Sequence, residues 1–195
     1  MIKLKDILFE SEVPDIFIPR RIEDRVERLI RDYIRSGGKG DLRLASMNIT
    51  KLPAILLNVT VDGNFYCYEN NLTSLENSPR FVYGHFSCAS NNLTSLKGSP
   101  EYVDGTFYCN DNKLTSLEGS PEYVGGFNCG FNKLTNLKNS PKSVDGFFAC
   151  YYNNLTSLEG CPKFVGGDFY CFKNRVQFTE ADVRAVCNVK GKIIV

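Results

Sequence analysis

From residue 65 onward the apolar positions of the chain recur in one phrase, Phe-x-Cys-x-x-Asn-x-Leu-x-x-Leu, followed by Pro and Val at fixed distances. Aligned on Cys67, Cys88, Cys109, Cys129, Cys150 and Cys171, the spacings are 21, 21, 20, 21 and 21 residues, which is the range of solenoid repeats. Phe and Cys alternate with period 2, so both side chains point to one face of a short strand, and that face is inward. The Asn column (Asn70, Asn91, Asn112, Asn132, Asn153, Asn174) falls where the chain leaves the strand. A short amide there can bond backbone groups of its own and adjacent turns. Repeated at a strand spacing of about 4.8 Å, the amides are expected to form a ladder. The two Leu fill the middle of each coil, and Pro ends the segment without needing a donor. Val and the Gly after it (Gly63, Gly84, Gly105, Gly146, and Gly126 or Gly167) turn the chain toward the next strand. Coils this short leave no room for a full return helix, so extended or 3₁₀ segments are expected on that side. A degenerate first unit, residues 41–53, fits with Leu42, Leu44, Ile49 and Leu52 in the apolar slots.

The pattern changes at both ends, which a solenoid must cover. Residues 19–38 switch to a helical period, with Ile22, Val26, Leu29, Ile30, Tyr33 and Ile34 as the stripe, Pro19 at the start and Gly37–Gly38 at the stop. Residues 178–187 open with a Thr179-x-x-Asp182 capping pattern and would turn Val183 and Val186 to the last repeat. The tail 192–195 would add a strand or lie across that helix. The expected organisation is an N-terminal extension (1–18), a capping helix (19–39), repeats (40–177) and a C-terminal cap (178–195).

The composition is that of an ordinary soluble globular chain, 43% hydrophobic and 23% charged. A net charge of +1 offers no global attraction to nucleic acid or to an anionic membrane. No apolar run approaches the roughly 20 residues that span a bilayer. The first residues lack the apolar core and cleavage site of a secretory signal, so a cytoplasmic location is expected, with the eight cysteines as thiols. The basic face of the first helix is read as a solvated surface with pairs such as Glu27–Arg31.

Phe-x-Cys-x-x-Asn-x-Leu resembles the leucine-rich repeat core Leu-x-Leu-x-x-Asn-x-Leu, with Phe and Cys in place of two Leu, over residues 40–178. Three positions before the Phe slot, where that family carries Leu, stand Asp62, Tyr83, Asp104, Val124, Asp145 and Gly166. The apolar Val usually lies one residue earlier. The resemblance implies an α/β solenoid of about seven coils and a recognition role. Residues 1–12 resemble the short capsid-targeting leaders of internal head proteins of large tailed phages, which are removed after an Ile/Leu-x-Glu site. Here that site is Leu8-Phe9-Glu10, with Ser11 as the new N-terminus. The likeness implies a protein packaged in a phage head and delivered to the host cytosol.

Chemistry is sparse. A column of single thiols one rung apart does not converge as tetrahedral zinc ligands must, and the chain has one histidine, so no metal or other cofactor is expected and the cysteines read as small hydrophobes. There is no phosphate-binding glycine loop and no nucleophile elbow, so no enzyme is expected. The column Glu76, Lys97, Glu118, Lys138, Glu159 alternates in sign, as charges stacked one rung apart should. Outward strand positions carry Tyr66, Tyr68, His85, Tyr108, Phe131, Tyr151, Tyr152, Tyr170 and Phe172, with Phe147 beside them. Exposed aromatics bury much area for little rotamer entropy, which suits a protein interface; the bland reading is that Tyr favours strands and packs on its neighbours. The expected activity is binding a protein partner, a host protein if the leader is one, through this sheet face. The rival is a structural virion component without a specific target.

Overall fold

The computed structural model describes residues 18–195, and in it every Phe-x-Cys phrase becomes a rung of a parallel β-solenoid. The first row of rungs is β1 (Leu42–Arg43), β3 (Phe65–Tyr66), β5 (Phe86–Ser87), the second halves of β6 (Tyr102–Tyr108) and β7 (Tyr123–Asn128), β9 (Phe148–Ala149), β11 (Phe169–Tyr170) and β13 (Ile193–Ile194). The second row is β2 (Thr60–Val61), β4 (Phe81–Val82), the first halves of β6 and β7, β8 (Ser143–Val144), β10 (Phe164–Val165) and β12 (Asn188–Val189). All pairs are parallel and, but for one shift within the β6–β7 pair, in register, Phe65 on Phe86 and Val82 on Val103, which makes about seven turns of about 21 residues. The return side is built of turns and bends that lead into the short second-row strands, with no α-helix among the described residues of the coils, as the coil length requires. Its 3₁₀ turn, Ala54–Asn58, precedes the first Val rung.

Inside, the constant residues form columns. The rings of Phe65, Phe86, Phe107, Phe127, Phe148 and Phe169 are fully buried and stack with centroids 4.9–5.7 Å apart. The cysteine column is buried beside them, and its thiols are free. Burial among apolar side chains pushes the thiols of Cys67, Cys88, Cys109 and Cys129 up, because a thiolate there would be desolvated. Cys88 Sγ instead donates to Tyr108 O, 3.4 Å away.

The Asn column stitches coils through backbone. Asn112 Nδ2 donates to Cys88 O at 3.0 Å and Cys109 O at 3.3 Å, while its Oδ1 accepts from Leu93 N–H at 3.0 Å. The expected amide-on-amide ladder does not form. Each amide satisfies the donor and acceptors that the turn would otherwise bury unpaired, which is the larger demand. The residue before each Asn has left-handed backbone: Glu69, Ser90, Asp111, Phe131, Tyr152 and Lys173 lie at φ 49–56°.

The glycines after Val are needed for a reason other than turning. None of Gly63, Gly84 and Gly105 has a positive φ, but a Cβ on Gly105 would lie 2.8 Å from Gly84 C and O. The coils touch backbone to backbone there, and only glycine fits. The 20-residue step between Cys109 and Cys129 is absorbed at this corner, where pairing passes from Val103↔Val124 to Thr106↔Gly126.

Two helices flank the stack. In α1 (Ile18–Arg35), Val26, Ile30 and Tyr33 are buried against the first coil, and Tyr33 Oη accepts from Asp62 N–H at 3.2 Å. Its buried stripe is narrower than expected, since Leu29 and Ile34 are 38% and 46% exposed. In α2 (Glu180–Val186) the Thr179–Asp182 capping box forms and Val183 is buried, but Val186 faces outward. The tail resolves in favour of a strand, β13. The segment with Leu8, Glu10 and Ser11 lies outside the described residues.

Candidate interaction surface

The sheet face is set by the strand period: with Phe and Cys inward, the residue between them and the one after Cys point out. Tyr66, Tyr108 and Tyr170 take the first slot, Tyr68, Tyr151 and Phe172 the second, and all six are half-buried. Phe131 and Tyr152, in left-handed backbone at the asparagine corner, are 45% and 44% exposed.

These side chains form separate groups rather than one continuous ribbon. Arg43 lies over the Tyr66 ring at 4.5 Å, and Tyr66 meets Tyr68 edge-on at 5.9 Å. His85 meets Tyr108 edge-on at 6.0 Å. Phe147 meets Tyr170 at 6.4 Å, and Tyr170 Oη donates to Asp168 Oδ2, which raises the Tyr170 pKa. The densest group is a cluster of four. Phe131 stacks on Tyr152 (4.5 Å, 9°), Tyr151 stacks on Phe172 (4.9 Å, 3°), and the two pairs meet edge-on. The gaps arise where the first slot holds Ser87, Asn128 or Ala149.

His85 is not a free contact residue. Its Nδ1 accepts from Thr106 N–H at 2.8 Å, and its own N–H donates to Asn64 Oδ1 at 2.7 Å. Asp41 Oδ1 takes Asn64 N–H in the same way, and Asp168 Oδ1 takes Lys192 N–H. This column stitches successive coils at the corner opposite the asparagines, so its members are chosen for a side-chain acceptor.

A second aromatic row was not anticipated from the sequence. Phe81, Tyr102 and Tyr123 precede the buried Val of the second row and are 37%, 40% and 60% exposed, with Phe164 half-buried in the same column. Tyr83, 51% exposed, lies 5.8 Å from Tyr102. The signal was present as an aromatic residue immediately before Val in four coils.

The alternating charges pair across rungs, Lys97–Glu118 at 3.1 Å and Lys138–Glu159 at 3.0 Å. A further column pairs Arg80 with Glu101 and Lys142 with Glu122. Among the described residues no helix is long and apolar enough to cross a membrane. No family model and no curated protein sequence matches this chain.

Proposed function

We propose that the protein is a non-enzymatic binding scaffold, a leucine-rich-repeat-like solenoid closed at its ends by α1 and α2, which recognises a protein partner on the outer side of its Phe-x-Cys sheet. The observation that carries this reading is the contrast between the two sides of those strands. The inward Phe and Cys are constant and buried, whereas the outward positions vary and hold half-exposed Tyr and Phe on a rigid frame. A surface free to vary, built of large rings held in place, suits recognition. The capping role rests on the burial of Val26, Ile30 and Val183 against the end coils. The leader-like Leu8-Phe9-Glu10 supports a phage protein that reaches the host cytosol, with a host protein as its target.

The test is affinity capture from a bacterial lysate with the wild type and with Tyr66, Tyr108 and Tyr170 replaced together by Ala. The wild type retains a defined partner, and the variant loses it while melting within a few degrees of the parent. Undiminished capture by the variant overturns the assignment of this face. The mature protein from virions should begin at Ser11 by intact mass; a start at Met1 removes the processing claim. A second reading, a structural virion component, is favoured by the way the rings of the four-membered cluster spend their faces on one another. It predicts abundance in particles and no retained partner.

A further inference from the structure

Along the asparagine corner the four-ring cluster is edged by Lys113, Lys133, Lys173 and Arg175, all exposed. None of the four takes part in an ion pair among the described residues, whereas Lys97 and Lys138, one side further round the coil, each hold a glutamate. In the left-handed column Glu69 lies toward the other end of the stack and Asp111 shares a coil with Lys113, so the stretch of the corner without acids begins at Lys133. One stretch of the corner thus combines exposed rings with unpaired cations, Lys133 on the coil of Cys129 and Lys173 and Arg175 two coils on, with Tyr152 between them.

We propose that this corner binds an extended acidic peptide segment of a protein partner, with carboxylates meeting Lys133, Lys173 and Arg175 and apolar side chains lying against the ring edges. Successive rungs are about 4.8 Å apart, so Lys133 and the Lys173–Arg175 pair two rungs on stand roughly 10 Å apart along the axis, the reach of about three residues of extended chain. Carboxylates complement the unpaired cations, and the charge fixes register and speeds encounter. A single-stranded nucleic acid fits less well. Bases need free ring faces to stack on, and here each of the four rings already gives one face to its partner, at 4.5 and 4.9 Å.

The proposal rests on the reading of the protein as a protein-binding scaffold, but its test is separate, because the lysate experiment replaces Tyr66, Tyr108 and Tyr170 and leaves the corner intact. A labelled peptide of about twelve residues alternating Glu and Leu is titrated by fluorescence anisotropy against the full chain, beside a Lys–Leu peptide and oligo-dT of equal length. The acidic peptide should bind at least about ten-fold tighter than either control and weaken with added salt. Lys133→Glu with Lys173→Glu should lower that affinity by about ten-fold or more, with an unchanged melting curve. Glutamate is compatible with the backbone at residue 173, because Glu69 occupies the equivalent left-handed position. Equal binding of acidic and basic peptides, binding unaffected by the double reversal, or tighter binding of oligo-dT would each overturn the proposal, the last by assigning the corner to nucleic acid.

Discussion

A single asparagine closes three backbone gaps at once. Asn112 holds carbonyls of Cys88 and Cys109 and the N–H of Leu93, all buried. Asn112→Ala leaves them unpaired and should cost about 2–4 kcal/mol in urea unfolding. Asn112→Asp should cost more, since it points a carboxylate oxygen at two carbonyls. The asparagine role was legible in the sequence because a turn residue at a fixed place in six coils has few uses other than bonding backbone. The glycine role was only half legible. Conformational freedom points to the same residues, but the constraint comes from a neighbour one coil away, which is not written in the local sequence. Gly105→Ala should therefore destabilise by about 1–3 kcal/mol although its backbone is ordinary. The buried thiols carry a pH dependence. In the folded chain Cys67, Cys88, Cys109 and Cys129 have pKa values raised above the ordinary 9.0. Their neutral form is thus favoured by folding, and that contribution is complete below pH 9 and fades as the unfolded thiols ionise above it. The urea midpoint should fall between pH 8 and pH 10, and a thiol reagent should label the four only on unfolding.

At the scale of elements, the rungs are too short to be stable alone and depend on what stacks beneath them. Phe107 sits between Phe86 and Phe127 with both rings within 5.6 Å, so Phe107→Ala should cost about 3–5 kcal/mol by chemical denaturation. The exposed Lys97–Glu118 pair contributes far less, within about 1 kcal/mol. The Phe-x-Cys strand row and its columns followed from period alone, because a repeated inward slot and a period-2 strand leave one arrangement; the second row, at Val, was expected only as an extended return or a turn. The outer surface did not follow. Whether Tyr108 reaches solvent or leans on His85, and whether Phe131 finds Tyr152, depends on rotamers across rungs. The stripe of α1 was overcounted for a related reason: the curvature of one coil end limits how wide a helix face it can cover, and Leu29 and Ile34 fall outside.

For the molecule as a whole, each coil contacts only its neighbours, so stability is a sum of like terms along one axis. Deleting residues 88–108, one full period, rejoins Ser87 to Cys109 in register. The shortened chain should fold with a lower melting temperature, whereas a deletion of half a period should not fold; circular dichroism separates the two. The side-chain stitches at the asparagine corner also share a direction. Asn91 reaches back to Cys67 O and Leu72 N–H, Asn112 to the coil of Cys88, and Asn153 to that of Cys129. Every asparagine grips the coil made before it. During synthesis the ribosome therefore releases each new loop already carrying the clasp that fastens it to a finished template, and assembly can keep pace with translation without waiting for the C-terminus.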